Sequence, residues 1–433
     1  MKRILIANRG EIALRILRAC QQLGKKTVAV YTPVDANLPH LDLADETVCI
    51  SHYLSSDDIV MAGITRHCDA VHPGYGLLSE NADFARSVEL AGMSFIGPSP
   101  EHIALLGDKI EARKCFAALG IESIPGSTEA VESLDDANKI ATDIGYPLVV
   151  KAAFGGGGRG IREVASPLEL DSTLALAMGE AEVGFGRAEV FIEKLLVGAR
   201  HIEVQVLGDG EGGCIHLGTR DCSVQRRYQK LIEECPALNI DIELSEELLA
   251  KCVAAISSLK YRNAATLEFL FSGGEFYFLE ANTRLQVEHP VTEVVTRRDI
   301  VVAQIQIAET ARLPFQQQDL NLWGHGIECR ILAEDGSGHP SPGEVTGLRL
   351  PGGPGVRIDS HIFVGYQVPH QYDSLIAKLV VEGETREIAL ARLKQALAEF
   401  CIEGIATNLE RLIMLVNHTE YTNMRIDTGW NPQ

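Results

Sequence analysis

The sequence predicts an α/β protein built from two or three packed subdomains, and three observations carry that prediction. The chain has 433 residues, beyond the size at which one hydrophobic core keeps growing. Its N-terminal part alternates short apolar runs with stretches whose apolar residues fall at helical spacing, the pattern of β-α-β units. Farther along, strand-like runs alternate polar and apolar residues with period two, which points to a second kind of sheet.

Ile4 to Ala7 and Thr27 to Tyr31 read as buried strands around a helix carrying Ile12, Ile16, Cys20 and Leu23 on one face. A helix near Asp57 to Arg66, a strand before His72, a helix from Asn81 to Ala91 and a strand at Ser94 to Gly97 continue the pattern. Together they predict a parallel sheet covered by helices. A helical connector from about Asp108 to Leu119 leads to a smaller lobe: a strand at Pro147 to Lys151, a glycine tract, a helix, and a strand at Val190 to Leu195. Alternating strands follow, with helices near Glu246 to Ser258 and Thr296 to Ala311, then a Pro/Gly-rich stretch (HPSPGE, LPGGPG) and more strands. The last clear helix is expected over Glu384 to Phe400, and no internal repeat is visible.

A hydrophobic share of 46% and a charged share of 23% are ordinary for folded globular chains. The formal net charge of −20 argues against broad nucleic-acid binding, which needs a basic surface to displace counterions from phosphates. Any anion must be caught by local basic residues. The ten cysteines show no C-x-x-C pair or Cys/His cluster, so buried or free thiols in a reducing compartment are expected rather than disulfides or zinc. The first apolar run is broken by Arg9 and Glu11, unlike a secretory signal, and no stretch is long enough to span a bilayer. A cytoplasmic location and no membrane partner are the expectation.

In KAAFGGGGRGI a strand ending at Lys151 runs into Gly155 to Gly158, where backbone N–H groups can approach an anion without side-chain obstruction. A flexible hairpin turn is the plain alternative. The tract is not a Walker A loop, because G-K-[ST] is absent. Nor does G-x-G-x-x-G follow the first strand, which argues against a nicotinamide-dependent dehydrogenase.

HIEVQVL puts His201, Glu203 and Gln205 on one face of a strand and apolar residues on the other. By itself that describes any half-exposed strand. ATLEFLF and EFYFLEANT are two further strand-like runs, and Glu268 stands between Leu267 and Phe269 in an otherwise apolar one. The second run places Glu280 and Asn282 on one face, and continuing its alternation adds Arg284, Gln286 and Glu288. Glu268, Glu280 and Asn282 offer hard oxygen ligands suited to Mg²⁺ or Mn²⁺, and Arg284 adds anion capture. For Glu268 to face Glu280 the rows must pair directly, which predicts an odd-length loop such as Gly273-Gly274-Glu275 rather than a two-residue turn. A solvated strand face explains neither the apolar flanks nor the asparagine.

Taken together, RILIANRGEIALRILRAC, HPGYGLLSEN, KAAFGGGGRGI, RDCSVQRRYQK and LEANTRLQVEHPVTE resemble the successive signatures of biotin carboxylases, over essentially the whole chain. The resemblance implies an ATP-grasp fold. Its parts would be a Rossmann-like parallel-sheet domain over 1–108, an ATP-grasp domain over 109–312 with a mobile glycine-rich lid at about 124–196, and a mixed-sheet C-terminal domain over 324–430. It implies ATP-driven carboxylation of biotin by bicarbonate through carboxyphosphate, the first half-reaction of a biotin-dependent carboxylase such as acetyl-CoA carboxylase.

Carried over by position, the resemblance implies that Lys109 and Lys151 contact ATP phosphates, that Gly157 and Gly158 lie in the closing lid, and that Glu193, Lys194 and Leu196 hold adenine. His201, Gln225, Tyr228 and Glu268 would complete the nucleotide site. Glu268, Glu280 and Asn282 would bind two divalent cations, while Lys230, Arg284, Gln286, Val287 and Glu288 surround bicarbonate. Arg330 and Tyr75 would meet biotin. Glu288 is the implied base for bicarbonate, Arg284 would steady the developing ureido oxyanion, and Lys230 would join them as a catalytic residue. The implied partners are a biotin carboxyl carrier protein or domain, a carboxyltransferase, and a second copy of the chain. No A-M-K-M-type stretch occurs, so the biotin is expected to be carried elsewhere.

One position departs from the pattern: Tyr228 stands where relatives usually carry His or Asn. A phenol is neutral at working pH and longer than either. Tyr228 motivates one rival reading, a weak or inactive structural or regulatory homologue; another ATP-grasp ligase, joining a carboxylate to an amine, is a separate rival, and Arg330 and QVEHP argue against it.

Overall fold

The computed structural model describes every residue except 128, 132, 153–160, 186–188 and 433. Three sheets organise it. The first has five parallel strands in the spatial order Glu46–Cys49, Lys26–Tyr31, Arg3–Ile6, Ala70–His72, Ser94–Phe95. Chain order reverses between Arg3–Ile6 and Ala70–His72, so a crevice opens at their carboxyl ends. Gly74 lines it with φ +66°, and a Cβ there would sit 2.9 Å from the Asn8 amide nitrogen, so backbone conformation and space both call for glycine.

The second sheet has eight antiparallel strands in the order Glu275–Asn282, Arg262–Ser272, Arg200–Asp209, Cys214–Arg226, Gln229–Cys235, His325–Leu332, Leu375–Gly383, Val356–Ser360. The third, in the small lobe, is antiparallel: Ile161–Val164, Leu148–Ala152, Val190–Lys194. Asp108 caps the connector helix Lys109–Ala118, its Oδ1 accepting from the backbone N–H groups of Ile110 and Glu111 at 2.9 and 3.1 Å. That helix carries Lys109 and Arg113 toward the small lobe.

Several expectations are corrected. The helix expected from Thr296 begins at Ile300, because Arg297 adopts a left-handed conformation that ends helix His289–Thr296, and Asp299 starts a new helix by accepting from Val302 N–H at 2.7 Å. Glu384 to Phe400 does not hold the last helix: Leu409–Asn417 and Thr419–Thr422 follow. Leu409, Leu412, Leu415 and Val416 give the former a buried face at helical spacing.

The hairpin register is the most informative correction. Glu268 does pair directly with Glu280, but the loop is the two-residue turn Gly273-Gly274, both with positive φ, closing Ser272 against Glu275. The odd residue sits within the ladder: Phe269 pairs with Phe278, and a bulge at Leu279 shifts the register before Glu280. Phe276, Phe278, Glu280 and Asn282 have the same parity, yet Phe278 and Phe276 pack with Phe269 in the core while Glu280 faces Glu268. The bulge achieves this. Beyond Asn282 the alternation does not continue as strand, because Thr283 N–H leaves the ladder to donate to Glu80 Oε1 at 3.1 Å.

Candidate active site

Four strands of the large sheet and one helix start aim charged side chains at one point. Lys230 Nζ donates to Glu268 Oε1 at 2.9 Å and Glu288 Oε1 at 2.8 Å, and also bonds Glu203. Glu203 and Glu268 are directly opposed residues of adjacent strands, and Glu288 immediately precedes helix His289–Thr296. Arg220, fully buried, donates to Glu203 Oε2 at 2.9 Å and Gln205 Oε1 at 2.9 Å. His201 Nε2 lies 2.9 Å from Glu268 Oε2, and the Gln225 amide donates to His201 Nδ1 at 2.8 Å, which leaves the ring proton on Nε2 facing the carboxylate.

These charges shift one another. Burial alone would raise the Glu288 carboxyl, but Lys230, Arg330 and Arg220 hold it well below the usual carboxylate range. Glu268 is likewise held low, Lys230 and His201 outweighing burial. For Glu203 burial wins over Lys230, with Glu288 adding repulsion, and its carboxyl is raised. Lys230 is pushed well above its usual value, because three carboxylates outweigh its desolvation.

The segment after Asn282 folds over this cluster. Arg284 donates through Nη1 to Gln286 Oε1 at 2.9 Å, through Nη2 to Asn282 Oδ1 at 3.0 Å, and through Nε to Glu80 Oε2 at 2.8 Å. Asn282 and Gln286 amides each donate to Glu268 Oε1, at 2.8 and 3.0 Å. Arg330 Nη2 donates to Glu288 Oε2 at 3.1 Å and Nε to Glu233 Oε1 at 2.6 Å. The Val287 carbonyl accepts from Lys378 Nζ at 2.9 Å. Burial, opposed by Arg330, pushes the Glu233 carboxyl up to about 7.

On the small-lobe side, Lys109 Nζ lies 3.2 Å from Glu280 Oε2, and Arg113 and Lys151 converge on buried Glu193. Burial, with Lys109 and Arg113 nearby, pushes the Lys151 ammonium down to about 7, and the Glu280 carboxylate opposes that. Lys194 Nζ donates to the carbonyls of Tyr146 and Gly145 at 2.7 and 3.1 Å, and Leu196 is half-buried beside it. Tyr228 sits in the two-residue turn between Arg226 and Gln229, with Arg227 and Tyr228 both at positive φ. Its hydroxyl donates to Glu163 Oε1 of the small lobe at 2.9 Å, and burial together with that bond pushes the phenol up to about 12. Gly157 and Gly158 lie outside the described residues.

Among the described residues, the groups close enough to share one ion are His201–Glu203–Glu268 and Glu203–Cys222–Glu288. The sequence-derived trio is differently arranged: Glu268 and Glu280 face each other across the ladder, and the Asn282 amide joins Glu268. Two carboxylates and an amide oxygen on one hairpin face fit a hard divalent cation in donor chemistry.

Three family models match the chain in succession. Residues 1–103 match the biotin carboxylase N-terminal domain, 108–316 the ATP-binding domain of the carbamoyl-phosphate synthase L chain, and 328–432 the biotin carboxylase C-terminal domain. The chain belongs to the biotin carboxylase family. The biotin carboxylase of Pseudomonas aeruginosa is 50% identical over 418 residues, covering 95% of this chain and 93% of that one. That of Nostoc sp. is 48% identical, covering 99% and 98%. Among solved structures, a complex of the Campylobacter jejuni biotin carboxylase with β-γ-ATP superposes with a TM-score of 0.97 at 44% identity, covering 99% of this chain and 98% of that one. The biotin carboxylase domain dimer of the Hydrogenobacter thermophilus 2-oxoglutarate carboxylase, solved with MgADP, ADP and bicarbonate, gives 0.97 at 42% identity, covering 99% and 96%. The ATP-grasp biotin carboxylase architecture expected from the sequence is thereby established, and among the described residues no helix is long and apolar enough to cross a membrane.

Arg113, Arg220, Glu233 and Glu80 are not among the sequence candidates, yet all bond residues that are. Arg220 and Glu233 carried a signal: each is a charged residue within a strand of the sheet interior. Glu80 carried none, since its carboxylate is exposed and reaches Arg284 only through the tertiary fold.

Proposed function

We propose that this chain uses ATP to carboxylate biotin borne on a separate carrier protein or domain, with bicarbonate as carbon source. The observation that supports it most is the convergence of Lys230 and Arg330 on a buried carboxylate cluster containing Glu288 and Glu268, with Arg284 joined to that cluster through Asn282 and Gln286. Glu288 is ionised and so ready to accept a proton, but its two cationic neighbours weaken it as a base. Bicarbonate entering between them would take over hydrogen bonds from Lys230 and Arg330, and Glu288 would regain basicity as it loses them. The deprotonated bicarbonate oxygen then attacks the γ-phosphorus of ATP, displacing ADP and forming carboxyphosphate.

ATP phosphates would draw Lys109 away from Glu280, exposing that carboxylate on the hairpin face. Mg²⁺ or Mn²⁺ would be held there by Glu268, Glu280 and Asn282 and would supply charge neutralisation of the phosphates. Lys151 adds a cation from the small lobe, and Glu193, Lys194 and Leu196 with His201, Gln225 and Tyr228 are assigned to the nucleotide. Gln286 and the Val287 peptide are assigned to bicarbonate. Carboxyphosphate gives CO₂ and phosphate, the phosphate takes the ureido proton, and the biotin nitrogen captures CO₂; Arg284 faces the developing oxyanion and Arg330 and Tyr75 the biotin.

We assign residues 1–108, 109–312 and 324–430 to the three domains, and a carrier protein, a carboxyltransferase and a second copy of the chain as partners. A reducing compartment, the cytoplasm, is supported by ten free cysteines. The test is ADP release by the purified chain with Mg²⁺ and ATP, with and without bicarbonate and free biotin, beside Glu288→Gln. Stimulation by both that the variant abolishes is expected; a flat response overturns the proposal and favours the inactive homologue that Tyr228 motivates.

A further inference from the structure

Glu11 and Lys378 form a buried ion pair between residues assigned above to two different substrates. Glu11 lies in the first turn of helix Gly10–Gln22, just past strand Arg3–Ile6, and Tyr75 follows the neighbouring strand Ala70–His72. Both therefore border the crevice where the order of the parallel sheet reverses, the usual ligand position of open α/β sheets. Lys378 comes from the other large sheet, in strand Leu375–Gly383, and its side chain is fully buried.

The Tyr75 hydroxyl donates to Glu11 Oε1. Lys378 Nζ lies 3.1 Å from the same oxygen, donates to the Val287 carbonyl at 2.9 Å, and sits 5.7 Å from the centre of the Tyr75 ring. Tyr75, Glu11, Lys378 and the Val287 peptide thus make one continuous chain of contacts joining the two sheets. Val287 is followed by Glu288, whose carboxylate accepts from Lys230 and Arg330. Glu11 Oε2 is buried without a hydrogen-bond partner. A buried pair with an unsatisfied oxygen is a poor source of net stability, so stability alone does not account for it.

We propose that Glu11 and Lys378 are positioning residues that fix the distance between the biotin-side Tyr75 and the bicarbonate-side Val287–Glu288 peptide. Neither touches a substrate. The pair holds carboxyl acceptor and carboxyl donor in register, where a displacement of about 1 Å costs up to about 100-fold in rate. This inference rests on the proposed function for the identity of the two substrates.

The test uses the full chain as Glu11→Gln, Lys378→Met and the double variant, which removes both charges together and leaves neither unpaired. KM for bicarbonate, free biotin and MgATP is measured separately from kcat, with amide hydrogen exchange of residues 283–291 and thermal melting alongside. The double variant is expected to raise KM for bicarbonate and for biotin about tenfold, with KM for MgATP within about twofold of wild type, and to speed exchange over 283–291. Unchanged KM values and exchange beside a lowered melting temperature would overturn the proposal and leave the pair purely structural. If the wild-type chain shows no bicarbonate-dependent ADP release, the functional reading falls, and exchange then decides the positioning role alone: unchanged exchange overturns it.

Discussion

The large sheet and the small lobe grip the site in opposite ways. On the large sheet, Glu203 and Glu288 are completely shielded from solvent and each is held by two cations, so their geometry is set before any ligand arrives. The small lobe, by contrast, meets that sheet across the mouth through a single carboxylate oxygen of Glu163, which accepts from the hydroxyl of Tyr228, 42% exposed in the turn between two large-sheet strands. The first arrangement preorganises chemistry; the second can be exchanged at low cost. A lobe that must admit and release a nucleotide is served by weak ties, whereas a proton acceptor is served by fixed ones.

The contrast is broken most directly at Glu288. Glu288→Gln is expected to cut bicarbonate-dependent ADP release by about 10²- to 10⁴-fold, the span of general-base catalysis; a loss under tenfold would mean the cluster is structural only. Lys230→Met removes the one cation shared by Glu203, Glu268 and Glu288 and is expected to destabilise by about 3–5 kcal/mol in urea denaturation, with Glu203→Gln in the same chain restoring part of it.

Acid titration sharpens the same point away from the nucleotide. Glu234, at the end of strand Gln229–Cys235, is held at about 2 because His325 and Arg386 outweigh its burial. Its folded pKa is depressed, so its stabilisation is fully present above the unfolded value near 4.5 and is lost as pH falls toward 2. The loss amounts to roughly 3 kcal/mol, and Glu234→Gln should flatten the acid limb of stability between those values. The smallest effect belongs to the contact between sheet and lobe. Tyr228→Phe removes one half-exposed hydrogen bond of about 1 kcal/mol, so KM for ATP should rise about fivefold or less with melting temperature unchanged.

Much of this was legible before the structure. The parallel sheet, the small lobe and the opposition of Glu268 to Glu280 follow from periodicity and from one carboxylate in an apolar run. The same argument applied to Lys378 in LIAKLVV would have flagged it, since a lone ammonium in an apolar strand also needs a partner; its partner Glu11 looked like an ordinary acid in a helix first turn. Arg113 to Glu193 and Glu80 to Arg284 were not legible, because each joins segments whose proximity only tertiary packing decides. The position of the odd residue in the hairpin is not legible, because it shifts register equally well from a loop or from a ladder and periodicity is the same in both.

The bulge at Leu279 also limits how this hairpin can change over evolution. Substitutions can alter what stands on either face, but no substitution reproduces the half-period shift that a single extra residue gives. Loss of one codon between Phe278 and Glu280 would turn Glu280 and Asn282 toward the aromatic core, and a compensating codon in the Gly273-Gly274 turn would displace Phe276 and Phe278 instead. The spacing from Phe278 to Glu280 is therefore expected to be intolerant of insertions and deletions even where the residues themselves vary, and a deep mutational scan that includes single-codon indels would read that intolerance directly.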